Sequence, residues 1–460
     1  MGKNKPVIGL LVGLLVAVAL WFAPLSGLSP AGQKCLALTF MTVIFWGFQI
    51  AQPGYVSGVY LVALIIFGVL KPADVFAPWL TPNLYLIMGA YLIAAAVKGS
   101  GLGERIAYNF ILRFVTSYKS VIISIFVITF ILSFLIPHPW PRAFLIMSVM
   151  AVVIKSGNVP KADAVKIGFT VFAASVPISM ILLTGDSTIN ILAAEATGMN
   201  VSWLDWFVYM GPPNIVASIL ACILILYLFP PTAEISVNKD EMRSKLAELG
   251  EMKPQEKKTA IWVALAIILW ATDSVHGVNI GWVTLGIAML MGFPKIGVIG
   301  PADWGTIPVH VLIFLTAAMT IGKAGGITGM NPWIAKTLLP SLTAGNIFII
   351  AAFITAASVV IHMLLGSVIA VMGIAIPALL LFTQPLGVNQ AVVAFMVYTA
   401  VATHFIFPFQ HLNMLVGQGE ANGMYGQNEC IKYGLPLTVI VFIICVGVCV
   451  PYWMLLGLIK

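Results

Sequence analysis

Charged side chains are what this sequence has least of. Only 8% of its 460 residues are Asp, Glu, Lys or Arg, whereas 60% are apolar, and the mean hydropathy is +1.04. A soluble globular domain carries roughly 25% charged residues, so the composition excludes that class. Apolar segments long enough to cross a bilayer core of roughly 30 Å recur along the whole chain. The sequence therefore predicts an all-α polytopic protein integral to a lipid bilayer.

Cysteine is also scarce, and recognisable catalytic motifs are lacking. The five cysteines show no CxxC or His-Cys spacing, so we expect neither a disulfide framework nor a metal site, and no organic cofactor. No Ser-His-Asp arrangement occurs at a recognisable spacing, which argues against an enzyme. The net charge of +7 follows from membrane topology, described below, and predicts no nucleic-acid partner.

The chain contains the same pattern twice. Four landmarks of the first half recur in the second at offsets of 223 to 225 residues: Trp46 and Trp270, Trp79 and Trp304, Lys98 and Lys323, Asn190 and Asn413. Internal duplication in an apolar chain is typical of secondary transporters, whose binding site lies where the two copies meet.

We predict eleven crossings and two re-entrant hairpins. The crossings are 6–28, 33–50, 55–70, 82–97, 163–190 (broken), 206–229, 259–272, 280–298, 309–325, 391–416 (broken) and 433–457. With a cytoplasmic N-terminus, 17 of the 23 basic residues fall on the cytoplasmic side and five on the outer side, as the positive-inside rule requires. This orientation places the C-terminus outside a cell (inner) membrane.

The crossings divide the chain into four parts. We predict an N-terminal transmembrane helix (1–30), a first repeat (31–230) with a hairpin at about 119–154, a cytoplasmic linker (231–258) and a second repeat (259–460) with a hairpin at about 345–384. Five crossings per repeat make the second repeat inverted relative to the first. Two amphipathic helices are expected outside the bilayer, an interfacial one at 103–116 and a linker helix at 240–249.

The first hairpin carries an arginine among apolar residues. Pro137, Pro139 and Pro141 rule out a continuous helix, so the tip lies near His138 and Arg142. An arginine at membrane depth costs at least about 2.5 kcal/mol unless it is compensated. We expect Arg142 to bind an anionic group of a substrate. Snorkelling from a shallow tip and a structural pair with Asp186 are the alternatives.

Three further breaks interrupt the apolar pattern. The fifth crossing breaks at Gly185, where Asp186 is a candidate proton site, cation ligand or arginine partner, or only a cap of the following half-helix. The second hairpin turns at Gly366-Ser367, and His362 one turn earlier is either functional or a satisfied interior histidine. The tenth crossing breaks at Pro408, near His404, and a helix N-terminus freed there suits an anion.

Two segments resemble a known family. LYLIMGAYLIAAAVKGSGLGERIA (84–107) is similar to the span and following "KTGL" segment of the divalent anion/sodium symporter (DASS) family, and GKAGGITGMNPWIA (322–335) echoes it. The resemblance covers nearly the whole chain. It implies eleven crossings, a scaffold and a transport domain, a homodimer and elevator-type alternating access. Members of the family carry dicarboxylates, tricarboxylates or sulfate, usually with sodium.

The sequence departs from this family at both hairpin tips. Where the family has Ser-Asn-Thr, this chain has Pro137-His138-Pro139, with Ser133 one turn before, and Ser367-Val368-Ile369. The family's Thr-Pro-Pro-Asn corresponds to 187–190 and 410–413, which keep both asparagines. Loss of tip oxygens weakens the case for two sodium sites, because hard cations prefer oxygen ligands. Proton symport and anion exchange therefore stay open beside sodium symport.

The prediction is a secondary transporter of a small organic anion of the di- or tricarboxylate type. The expected substrate ligands are His138, Arg142, Thr184, Gly185, Ser187, Thr188, Asn190, Gly366, Ser367, Gln410, His411 and Asn413. The expected coupling residues, for Na⁺ or H⁺, are Ser133, His138, Asp186 and His411. The alternatives are a sulfonate, sulfate or other inorganic anion transporter of the same fold, and an anion channel, although no repeated filter motif occurs.

Overall fold

The protein is all-helical over the residues that the structure, a computed structural model, describes. These are residues 5–48, 50–233, 239–338, 346–365, 368–383 and 386–459, and no strand occurs among them. The all-α prediction is thereby confirmed for these ranges.

Eleven α-helices occur in the described part of the first half, residues 5–48 and 50–233. They are α1 (Lys5–Phe22), α2 (Pro30–Phe48), α3 (Pro53–Ile66), α4 (Pro72–Val75), α5 (Pro82–Ser100), α6 (Leu102–Phe114), α7 (Tyr118–Ser133), α8 (Pro139–Ser156), α9 (Lys161–Ile178), α10 (Ile189–Ala196) and α11 (Trp203–Leu228). Short 3₁₀ turns precede α5 (Ala77–Leu80) and α10 (Leu183–Asp186).

The second half follows a comparable order. Its helices are α12 (Lys239–Leu249), α13 (Pro254–Ala271), α14 (Asp273–His276), α15 (Ile280–Leu290), α16 (Val309–Thr328), α17 (Met330–Leu338), α18 (Ile347–Leu365), α19 (Val368–Thr383), α20 (Gln390–Thr403), α21 (Leu412–Val416), α22 (Gln427–Phe442) and α23 (Val450–Leu455). A π-helical turn (Ile443–Cys449) joins α22 to α23, and 3₁₀ turns precede α16 (Pro301–Thr306) and α21 (Pro408–Gln410).

Five helices in the described ranges are long and apolar enough to span a membrane. They are α2, α5, α11, α16 and the joined α22–α23 helix. Shorter apolar helices lie in α1, α3, α7, α15, α18, α19 and α20. The predicted broken crossings and hairpin arms are shorter than a full membrane span, so helix length alone does not count the crossings. The number of eleven crossings therefore stays a prediction.

Equivalent elements carry the repeated landmarks. Trp46 lies in α2 and Trp270 in α13. The other three pairs lie in the 3₁₀ turns before α5 and α16, within these two helices, and in the half-helices α10 and α21. Both helices also end at a left-handed glycine, Gly101 (φ 83°) and Gly329 (φ 77°). Glycine takes this conformation without steric cost, so the chain turns at each of these glycines into an amphipathic helix, α6 after the first and α17 after the second. The secondary structure thus repeats as the sequence does.

Helices of the two halves pack on each other in an equivalent way. Helix α3 packs on α16, and α15 packs on α5. A Cβ atom at Gly54 in α3 would lie 2.7 Å from the carbonyl oxygen of His310, and one at Gly281 in α15 would lie 2.2 Å from that of Pro82. No larger residue fits at either crossing. The contact between α3 and α16 in one direction is therefore repeated by the contact between their equivalents, α15 and α5, in the other.

An ion pair outside the bilayer segments fixes the linker. Arg105 in α6 donates from Nε to Glu256 Oε2 (2.5 Å) and from Nη2 to Oε1 (3.0 Å), and from Nη1 to the carbonyl of Gly250 (2.9 Å). The Glu256 side chain is only 3% exposed. The hydrogen bonds from Arg105 hold the pKa of Glu256 below its usual value. These contacts join α6 of the first half to the start of α13 in the second half. The linker helix α12 lies between them in sequence, close to its predicted bounds.

Candidate functional site

A cavity of about 280 Å³ lies beside the first hairpin tip and both helix breaks. One wall comes from the first hairpin tip and from the two breaks, at residues 138–140, 186–189 and 409–415. The opposite wall comes from α2, α5, the start of α3 and the first turns of α16. The start of α19 closes part of it. The repeat therefore brings the polar breaks of both halves to one place, as the sequence predicted.

Among the residues that the structure describes, five that line this cavity each have a buried polar atom without a hydrogen-bond partner. These atoms are Trp46 Nε1, Tyr91 Oη, Thr188 Oγ1, His411 Nδ1 and Asn413 Oδ1. A buried polar atom left unpaired costs about 1–3 kcal/mol, and most such atoms in proteins are paired. Their collection around one space is what a site built for a polar ligand requires.

A larger cavity of about 830 Å³ lies on another side of α19. Its polar lining residues are Thr81, Glu195, Lys323, Asn331 and Gln390. None of the predicted site residues borders it, and none of its lining atoms belongs to the unpaired buried groups. The smaller cavity is therefore the stronger candidate.

Arg142 lies behind the cavity and does not line it. Its guanidinium is fully buried and donates from Nη1 to the carbonyls of Ile136 (3.0 Å) and Gly185 (3.1 Å), and from Nη2 to Ser179 Oγ (2.6 Å). These bonds join the hairpin tip to the first break. One of these bonds is to the Ser179 side chain, and Arg142 Nε has no partner. The expected direct contact with substrate stays a prediction, since Arg142 is not among the residues that line the cavity. No ion pair with Asp186 forms among the described residues either.

Asp186 caps the half-helix α10 and also lines the cavity. Its Oδ1 accepts from the amides of Thr188 (3.0 Å) and Ile189 (3.2 Å). Carboxylates are favoured at this position because they pair with free amides and with the positive end of the helix dipole. Ser187 donates from Oγ to the carbonyl of Pro137 (2.8 Å), which ties the break to the hairpin tip. The capping alternative for Asp186 is therefore what the geometry favours.

The two asparagines at equivalent positions of the repeats form hydrogen bonds between the halves. Asn190 donates from Nδ2 to the carbonyls of Ser179 and Leu182 (both 2.8 Å) and accepts from Tyr398 of α20. Asn413 donates from Nδ2 to the carbonyl of Phe172 in α9 (2.7 Å). Each asparagine thus bonds to the unbroken part of the other half's broken crossing. Of the two, only Asn413 lines the cavity, and its side-chain oxygen is unpaired.

The second break is held by neutral groups. Gln410 accepts at Oε1 from the amides of Ile406 (2.7 Å) and Phe407 (2.8 Å), and its carbonyl lies 2.9 Å from His362 Nε2. His362 Nδ1 lies 3.4 Å from His404 Nδ1. Both imidazoles are fully buried. The two histidines are thus part of the structure that holds the break open.

The predicted substrate and coupling residues separate into three groups. His138, Asp186, Thr188, His411 and Asn413 line the cavity. Behind it, bonded to backbone or to other side chains, lie Ser133, Arg142, Thr184, Gly185, Ser187, Asn190 and Gln410. Gly366 and Ser367 lie outside the described residues.

Sequence reasoning missed the wall opposite the breaks. Trp46, Gln52, Tyr91, His310 and Phe314 line the cavity from that side. Of these only Trp46 stood out in the sequence, and only as a repeat landmark. A comparison with Trp270, which donates from Nε1 to Thr284 Oγ1 (2.9 Å), distinguishes it, because Trp46 Nε1 has no partner.

Comparisons with known proteins give one family and one fold. The family described as "Sodium:sulfate symporter transmembrane region" matches residues 4–459. Relatives include "Dicarboxylate transporter 1, chloroplastic" of Arabidopsis thaliana, 25% identical over 98% of this chain and 83% of its own length. Another is "Sodium-dependent dicarboxylate transporter SdcS" of Staphylococcus saprophyticus, 23% identical over 72% of this chain and 70% of its own. Among solved structures, the YdaH transporter of Alcanivorax borkumensis matches over the full length of both chains with a TM-score of 0.52 at 14% identity, a likeness of fold.

Proposed function

Because the chain belongs to the sodium:sulfate (divalent anion/sodium) symporter family, we propose that it is a secondary active transporter of a small organic anion, with dicarboxylates as the first candidates. Membership confirms the resemblance of segments 84–107 and 322–335. The observation that carries the proposal is the cavity whose walls combine both breaks with five unpaired buried polar atoms. Its volume is at the lower end of the about 300–1,000 Å³ of ligand pockets, which suits a small substrate.

The anion is bound by neutral donors. Trp46 Nε1–H can only donate, and the hydroxyls of Tyr91 and Thr188 are free to donate into the same space. Hydrogen bonds to a carboxylate are stronger than those between neutral groups, so three such donors hold it well without a guanidinium. Neutral donors also release it more easily on the other side of the membrane, as a transporter requires.

Two ionisable groups of opposite sign lie beside this space. Asp186 lines it, and the buried Arg142 lies behind it, bonded to the backbone of the same break. Their charges offset one another, so a bound dianion brings uncompensated negative charge into the protein. A cation that enters with the anion removes this penalty, which gives the physical reason for coupling to Na⁺ or H⁺. Ser133, His138, Asp186 and His411 stay candidates for coupling, and exchange of one anion for another avoids the penalty as well.

Transport proceeds by an elevator movement. The cavity lies between one group of helices (α1–α5 and α13–α16) and a second group that carries both hairpins and both breaks (α7–α11 and α18–α23). The first group, interlocked by the α3–α16 and α15–α5 contacts, forms the scaffold, and the second carries the anion across. Eleven crossings in two inverted repeats, a cytoplasmic N-terminus and a homodimer through the scaffold complete the proposal.

A thermal-stability screen of purified protein tests this function. Succinate, malate, citrate, an alkyl sulfonate and sulfate are compared, each with sodium or choline as the cation. A ligand that binds only the folded protein raises its stability by about 2.7 kcal/mol at 100 times its Kd. We expect dicarboxylates to give the largest shift and Asn413→Ala to reduce it to about half at the same ligand concentration. A shift with sulfate alone would reassign the substrate, and no shift with any anion would refute the proposal.

A further inference from the structure

A chain of polar contacts crosses the second half beside the cavity. His362 in α18 lies between the Gln410 carbonyl (2.9 Å from Nε2) and His404 at the end of α20 (Nδ1 to Nδ1, 3.4 Å). His404 Nε2 then lies 3.1 Å from Thr438 Oγ1 in α22, which donates to the carbonyl of Gly434 (2.9 Å). Four elements of the proposed transport group are joined through two imidazoles.

The hydrogens of this chain can be counted. A carbonyl cannot donate, so His362 carries its proton on Nε2 and only accepts at Nδ1 when it is neutral. His404 must then donate from Nδ1. If His404 is neutral, its Nε2 has to accept the Thr438 hydroxyl hydrogen, and the contact of that hydroxyl with the Gly434 carbonyl is lost. If the pair carries one further proton, His404 Nε2–H donates to Thr438 Oγ1, and every contact observed is made.

The environment leaves this extra charge without a counter-ion. Both histidines are fully buried, and no Asp, Glu, Lys or Arg bonds to either ring among the described residues. The titratable group that interacts with His362 is His411, which lines the cavity. Farther along α18, Cys445 of the π-helical turn contacts Thr355. A buried imidazolium is costly unless an opposite charge lies nearby, and the adjacent cavity is where an anion would bind.

The link to the cavity is short. The Gln410 carbonyl that accepts from His362 belongs to the peptide preceding His411, and Asn413 follows two residues later. A proton on the pair therefore acts on the cavity through its field and through the backbone of the break. By linkage, an anion in the cavity favours that proton to the same extent.

We propose that His362 and His404 form a proton-binding pair that takes up one proton with each substrate anion and makes this protein a proton-coupled carrier. The inference rests on the proposed function and names its coupling ion and the site of that ion. The pair replaces the lost tip oxygens of the family's sodium-type sites by a titratable group. Sequence analysis singled out His362 without a partner, and only the fold places His404 against it.

Transport under an imposed pH gradient tests the pair. Wild type, His362→Gln and His404→Gln are reconstituted in proteoliposomes with the membrane potential clamped at zero, and uptake of labelled succinate is followed. His276→Gln is the control, since His276 is exposed and lies outside the transport group. One proton per succinate raises the accumulation ratio about tenfold per pH unit, acid outside, in wild type and control. Both glutamine variants are expected to lose this dependence and to keep succinate–succinate exchange at symmetric pH.

A second measurement does not depend on transport. Succinate is added to detergent-solubilised protein in weakly buffered solution with a pH indicator. Wild type and His276→Gln should take up about one proton per succinate bound, and the two variants none, because glutamine hydrogen-bonds without titrating. Gradient dependence or proton uptake that persists in both variants would refute the pair. Wild-type succinate uptake without proton uptake would refute it and leave the proposed function standing, whereas no succinate binding or uptake by wild type would refute the function itself.

Discussion

The two broken crossings have the same place in their halves but are held by different chemistry. In the first, a permanent charge, Arg142, bonds to the carbonyls of Ile136 and Gly185 and to Ser179. In the second, the neutral amide of Gln410 and the imidazole of His362 do this work. Both breaks expose a half-helix end to one cavity.

This difference shows how a duplicated unit acquires separate roles. A guanidinium stays charged at any physiological pH, so the first break is fixed in one electrostatic state. An imidazole, unlike a guanidinium, can gain and lose a proton, so a proton bound by His362 and His404 would act on the second break. The first half thus supplies a constant field, and the second half supplies the variable one.

The largest expected effect is on stability, at Arg142. Arg142→Met leaves two buried carbonyls without a charged donor, and we expect a loss of about 4 kcal/mol in the free energy of unfolding. Gln410→Met, the matching change in the second break, removes neutral contacts and should cost about 2 kcal/mol. Thermal melts of the detergent-solubilised variants check the order. Equal losses would mean that the two breaks do not differ in the way described.

The two asparagines should separate stability from binding. Asn190 makes all its bonds within the protein, so Asn190→Ala should cost about 2–3 kcal/mol of stability. Asn413 lines the cavity and uses one of its two Nδ2 hydrogens for the Phe172 carbonyl, so the other can be donated to a carboxylate. Asn413→Ala should therefore weaken succinate binding about tenfold and cost about 1 kcal/mol of stability. Melting and ligand titration of the same samples measure both. The reverse assignment of effects would contradict the cavity as the binding site.

The repeated tryptophans provide a smaller test of the same kind. Trp46 lines the cavity and its buried Nε1 has no partner, so we expect Trp46→Phe to give about fivefold weaker succinate binding with unchanged stability. Trp270→Phe removes a donor bonded to Thr284, so stability should fall by about 1 kcal/mol and binding should not change. If both variants bind succinate like wild type, Trp46 does not donate to the substrate.

The smallest effect concerns the joint between the halves. The pKa of Glu256 is lowered in the folded protein by its hydrogen bonds with Arg105. Its contribution to stability is therefore complete at neutral pH and is lost as the pH falls below the unfolded value, near 4.5, towards the folded one. We expect Glu256→Gln to cost about 1 kcal/mol at pH 7 and to flatten the decline of the melting temperature on acidification. A parallel decline in wild type and variant would exclude this pair as its source.

The sequence predicted the breaks and their convergence, because their causes are local. Pro408 and Gly185 stand next to polar residues within apolar segments, which marks a local break in each, and the paired landmarks indicate which segments are equivalent. The interfacial and linker helices were predicted for the same reason, from periodicity alone, and α6 and α12 lie within a residue or two of the expected bounds.

The direction of individual side chains could not be predicted in this way. Arg142 donates from Nη1 to the carbonyl of Gly185, 43 residues away, and no spacing rule predicts this contact. Tyr91 stands in an ordinary apolar span, and only the packing of α5 places its hydroxyl on the cavity. The pairing of His362 with His404 depends likewise on how α18 meets α20.

Saturable uptake of labelled succinate by proteoliposomes tests the central claim most directly, with Asn413→Ala compared with Asn214→Ala. Asn214 is a matched control, because it is buried, makes one hydrogen bond to Met210, has an unpaired Oδ1 and lies away from the cavity. We predict saturable uptake with counterflow for wild type and Asn214→Ala, and a strongly raised KM for Asn413→Ala. Uptake that does not saturate, or an unchanged KM in Asn413→Ala, would contradict an anion carrier that binds its substrate in this cavity.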